Sequence, residues 1–197
     1  MKIQRHKPVL IGCMKKLKFA RMSLVLGTTL LLISCRIGGL TTGYNHLTPA
    51  QKARIEKLTG RIADVKNDDG KVYKITVAQL KDFIRGEKDV VVYEFIPYCK
   101  AEGCIPPVLF ERSCREKNYR AVVVAVLYDE LFSVKHPGMP MFSIDTEPYQ
   151  TKWRSKYEPR FFDELTGITE KERNYYSFHY FHDGKYVKSY CRFNEVP

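Results

Sequence analysis

The sequence predicts an α/β domain, and three observations carry that expectation. Two nearly continuous apolar runs, Val90 to Ile96 and Ala121 to Leu127, have the composition of strands covered on both faces of a sheet. Between them a helix-forming segment runs from Pro106-Pro107 to about Asn118, so the three make a βαβ unit with parallel strands and a right-handed crossover. Near the end, aromatic-rich runs flank His182-Asp183-Gly184, and an Asp-Gly pair in that position signals a hairpin.

The remaining elements follow in chain order. Thr48-Pro49-Ala50-Gln51 has the N-cap, first-turn proline and N3 amide of a helix start, with Ala53, Ile55 and Leu58 on part of one face. Short β-like runs at 61–65 and 71–75 flank the turn-forming segment Lys66 to Gly70 and predict a small hairpin. Thr76-Val77-Ala78-Gln79 repeats the capping box and opens a second helix, with Leu80, Phe83 and Ile84 at core spacing and Gly86 as its stop. Beyond the βαβ unit come a short strand, Met141 to Ile144, a helix ending near Gly167, and the closing strand pair at 175–181 and 185–190. Within that helix, Lys152 to Arg160 has the pattern of a solvated face with Trp153 as its anchor.

A chain of 197 residues has room for one ordinary domain with a real core. Its net charge of +11 is concentrated at one end: seven of the 33 Lys/Arg lie in residues 1–34, where there is no Asp or Glu, so 26 basic residues face 22 acidic ones in the rest. That balance, with no basic motif, argues against a nucleic-acid partner.

The N-terminal segment has the form of an export address. A basic stretch, Met14 to Arg21, precedes an apolar run of twelve residues, Met22 to Ile33, which is too short to span a bilayer as a helix and falls in the range of a secretory h-region. The run ends in Leu32-Ile33-Ser34-Cys35, which resembles the lipobox of bacterial lipoproteins. That resemblance implies cleavage before Cys35, lipid on its thiol, and a membrane as the first partner. Residues 1–34 are then the signal peptide, with 1–13 a candidate start-site artefact that would remove Cys13. Residues 35–47 form a tether, 48–75 a helix and hairpin extension, and 76–197 the main domain. Arg36, standing where enteric inner-membrane lipoproteins have Asp, favours the outer membrane of the cell envelope.

Over roughly residues 76–191 the chain resembles the thioredoxin-like superfamily. A buried strand ends in Pro97-Tyr98-Cys99, Cys104 lies just beyond, a helix and an apolar strand follow, and a hairpin reads Phe181-His-Asp-Gly-Lys-Tyr-Val187. The resemblance implies a thioredoxin-like mixed sheet flanked by helices, with Cys99 as attacking thiol and Cys104 as its partner in exchange with exported protein thiols. The spacing is Cys-x4-Cys where the family has Cys-x-x-Cys, and Arg173-Asn-Tyr-Tyr-Ser177 stands where the family places a proline. A non-catalytic protein with a permanent Cys99–Cys104 staple is the alternative, and Cys114 and Cys191 either pair or stay buried. His179 and His182 near the cysteines have ligand chemistry, but a strand position and a turn position suit structural roles better, so no metal or cofactor is expected.

Overall fold

A computed structural model describes residues 38–66, 70–101, 103–134 and 138–197. The expected signal peptide, with Cys13, and also Cys35, Arg36 and the tip of the Lys66–Gly70 turn lie outside the described residues. The chain is an α/β protein with a seven-stranded mixed sheet, in the order β1-β2-β5-β4-β3-β6-β7. The strands are β1 Ile55–Lys57, β2 Val72–Ile75, β3 Asp89–Phe95, β4 Arg120–Ala125, β5 Met141–Ile144, β6 Phe178–His182 and β7 Lys185–Tyr190. The helices are α1 Pro49–Lys52, α2 Val77–Arg85, α3 Pro107–Glu116 and α4 Arg154–Thr166. Among the described residues no helix is long and apolar enough to cross a membrane.

The βαβ unit forms with parallel β3 and β4, from Val90 opposite Arg120 to Phe95 opposite Ala125. On its other edge β3 pairs antiparallel with β6, and β6 with β7 across the His182–Lys185 turn. Strand β3 is therefore enclosed in the sheet plane and covered above and below, as its apolar run requires. Alternation along β3 sends Val90 and Val92 to the face covered by α2 and α4, where they meet Leu80, Ile84, Tyr157 and Phe161. It sends Val91, Tyr93 and Phe95 to the face covered by α3, where Phe110, Cys114 and Phe178 close the second core.

Both capping boxes form as expected: the Thr76 hydroxyl accepts from the Gln79 amide N–H at 3.3 Å, and the Gln79 side-chain oxygen accepts from the Thr76 N–H at 2.9 Å. Two local expectations are corrected. The helix begun at Thr48 lasts four residues, and Ile55–Lys57 turns extended to pair in parallel with β2. The 61–65 run is a 3-10 turn over Ile62–Asp64, so the hairpin with 71–75 is absent and β2 lies between β1 and β5 instead. Burial explains the change: Ile62 faces the core as a plug, which a single turn achieves and a paired strand would not. Residues 38–47, expected as tether, run along the domain, with Thr42 buried, its N–H donating to Lys152 O at 3.1 Å, and Thr41 bridging Trp153.

Truncating Phe161, which has no exposed surface, removes a core ring of the α4 face. Phe161→Ala is expected to lower unfolding stability by about 3–5 kcal/mol and Thr76→Ala by about 1 kcal/mol. Both are read as lower urea midpoints at unchanged m-value.

Candidate functional site

Cys99 and Cys104 are joined by a disulfide with their Cα atoms 5.9 Å apart, and both are half-buried. The loop that carries them leaves the C-terminal end of β3 and enters α3. Cys99 N–H donates to Ile96 O at 3.0 Å and Cys104 N–H to Ala101 O at 2.9 Å, so each cysteine closes a turn. The exit is held by the buried Tyr93 hydroxyl, which donates to Ile105 O at 3.1 Å and accepts from Ile105 N–H at 3.2 Å. Burial pushes the Tyr93 hydroxyl up to about 12, so it stays protonated and keeps that clamp. Ile105 and Pro106 separate Cys104 from the helix, so the second sulfur precedes the first helical turn. Cys114 is a free thiol buried in α3, where burial pushes its ionisation far up, while Cys191 is free and exposed after β7. They do not pair.

Behind the loop, on the α4 face of the sheet, is a second constellation. Glu94 on β3, Glu158 and Arg154 on α4, and His179 on β6 line a cavity of about 440 Å³ together with Ser189 and Arg173. Arg154 Nε donates to Glu158 Oε2 at 2.6 Å, and its Nη1 donates to the Tyr98 hydroxyl at 3.3 Å. The carboxyl groups of Glu94 and Glu158 lie close enough to act on each other's titration. His179 contacts Glu94 Oε2 through Nε2 at 3.3 Å and Ser189 Oγ through Nδ1 at 2.8 Å, and Ser189 Oγ meets the Tyr186 hydroxyl at 2.7 Å. Arg173 is held by a two-pronged ion pair to Asp163, which raises its pKa further.

Burial sets the protonation of this chain of groups. It pushes Glu158 up to about 8, with the neighbouring Glu94 charge adding to the shift, and it raises Glu94 as well. Burial thus favours the protonated form of each acid, and Arg154 faces Glu158 as the nearby positive charge. Burial also pushes His179 down to about 3, so its contact with Glu94 joins neutral imidazole to carboxyl and is no ion pair. Ser189, His179 and Glu94 follow the order of a nucleophile, base and orienting acid, but Ser189 has no exposed surface. The arrangement is a buried hydrogen-bonded network and does not present an attacking hydroxyl.

The chain matches no family model, no curated protein and no solved structure. Of the residues singled out in the sequence, Cys99 and Cys104 come together. His179 and His182 do not: His182 sits at the hairpin turn with Nδ1 2.7 Å from Asp89. The expectation for Lys152 to Arg160 is corrected, because Tyr157 and Glu158 in that stretch are buried and Trp153 is 53% exposed. Of the aromatic run, Phe178, Tyr180 and Phe181 are core, while Tyr175, 82% exposed and at φ 53°, stands at the cavity mouth beside Tyr176. Glu94 and Glu158 were missed. The available signal was Glu94 itself, the single charge in the run Val90 to Ile96.

The Glu158 shift has a consequence for stability. Its folded pKa, about 8, lies above the ordinary 4.5, so its contribution is full below about pH 4.5 and is lost as pH rises through 8. The thermal midpoint is expected to fall between pH 5 and pH 9, and Glu158→Gln to flatten that fall. Equal slopes in the two proteins would contradict the assignment.

Proposed function

We propose that the chain is the precursor of a lipid-anchored protein of the bacterial cell envelope, and that its domain exchanges disulfides with exported protein thiols through Cys99 and Cys104. One observation carries the thiol part. The Cys99–Cys104 disulfide is half-buried at the C-terminal end of the interior strand β3 and directly before α3. This is the place that the resemblance to thioredoxin-like proteins assigns to an exchanging pair. The pairing of β3, parallel to β4 and antiparallel to β6, is consistent with the same reading. Cys99 would be the sulfur that takes the mixed disulfide, and Cys104 the one that releases it. The anchor rests on Leu32-Ile33-Ser34-Cys35 and the basic and apolar segments before it.

A second reading, a permanent staple in a non-catalytic binding protein, is favoured by a specific feature. The approach to β6, Arg173 to Ser177, contains no proline, and the described residues contain no cis peptide bond, so nothing of that kind packs over the sulfurs. The reduction potential separates the two readings: a value above about −300 mV supports exchange and one below it the staple.

Reduction of a disulfide substrate such as insulin should be catalysed by the wild type and lost in Cys99→Ser, while Cys104→Ser should accumulate mixed disulfides through Cys99. Inert thiols in both assays would leave the staple. Metabolic labelling with radioactive palmitate tests the anchor independently: it should mark the wild type and vanish in Cys35→Ser.

A further inference from the structure

Cys191 is exposed, carries a free thiol, and lies where the chain leaves β7. Its neighbour across space is the disulfide loop. A methyl group placed on Gly103 would sit 2.7 Å from the Cys191 carbonyl oxygen and 3.8 Å from its sulfur. Glycine at 103 is therefore what lets the two segments touch, and Cys104 is the next residue. A disulfide needs Cα atoms within about 4.4–6.8 Å, and exchange requires the loop beside Cys191 to bring Cys104 into that range.

We propose that Cys191 is a third member of the thiol site and exchanges with the Cys99–Cys104 disulfide inside the molecule; this rests on reading that disulfide as exchangeable. The Cys191 thiol gives its proton to solvent, and the thiolate attacks Sγ of Cys104. The Cys99–Cys104 bond breaks, a Cys104–Cys191 bond forms, and Cys99 leaves as a thiolate that takes up a proton. One disulfide is exchanged for another, so no oxidant or reductant is consumed. Attack at Cys104, the sulfur beside Gly103, frees Cys99, the thiol that the proposed function uses on its partners. Cys114 stays outside the exchange, since it is buried among the α3-face core.

The direction of attack makes the test specific. In the detergent-solubilised full-length protein carrying Cys99→Ser, mild oxidation with diamide should join Cys104 to Cys191. Peptide mapping after alkylation should then show loss of free-thiol label at both. The wild type, incubated at pH 8 and trapped with a thiol alkylator, should carry label at Cys99 as well as at Cys191, with Cys104 and Cys191 peptides recovered joined. Label at Cys191 alone in the wild type, or free Cys104 and Cys191 in the oxidised variant, would overturn the proposal; the wild-type arm serves if the variant does not fold. External exchange without the 104–191 bond would sink this inference and leave the proposed function standing. The 104–191 bond without turnover of a protein disulfide would do the reverse.

Discussion

Glu94 imposes the constraint around which one half of the molecule is arranged. Strand β3 is enclosed by β4 and β6, and the same alternation that packs Val90 and Val92 under the helices carries Glu94 to that face. A carboxylate there without partners would cost several kcal/mol. The structure answers by surrounding it: burial raises its pKa, His179 touches it in neutral form, and Arg154, paired with Glu158, supplies a positive charge nearby. Helix α4 has to present Arg154 and Glu158 to the sheet on one face while Phe161, Phe162 and Leu165 bury on the same side. The hairpin has to place His179 opposite Ser189, which the β6–β7 register does. A polar group in an apolar strand thus fixes the rotation of a helix and the register of two strands.

The network and the disulfide are connected. Tyr98, one residue before Cys99, accepts from Arg154, so the charge state of the two acids is felt one hydrogen bond from the loop. On the opposite face Tyr93 holds the loop exit through Ile105. Adjacent residues of one strand, Tyr93 and Glu94, therefore reach the sulfur loop by separate routes, one rigid and one titratable.

Much of this architecture was legible in the sequence because it rests on local rules. Val90 to Ile96, the capping box at Thr76, the strand Met141 to Ile144, the stop at Gly167 and the turn at Asp183-Gly184 each declare themselves within a few residues, and each is found. What was not legible depends on distant partners. The three-residue strand β1 has no periodicity to read and exists through its pairing with β2. Ile62 belongs to a 3-10 turn that buries it in the core beside residues distant in the chain. Glu158 looks like part of a charged helical surface until the fold places it against Glu94, 64 positions earlier in the chain. A polar site assembled from β3, α4 and β6 has no spacing to recognise in one dimension.

Gly39 is a small feature with a long reach. Its φ of 85° and the Tyr98 hydroxyl lying 2.0 Å from where a side-chain carbon would be make it a point of contact between the start of the domain and the sulfur loop. Asp129 reinforces the contact by accepting from the Gly39 N–H at 3.1 Å. Any side chain at position 39 would therefore press on the ring that precedes Cys99 and, through the Tyr98 hydroxyl, on the hydrogen bond from Arg154, so one small residue keeps the sulfur loop and the acid network in register with the start of the domain.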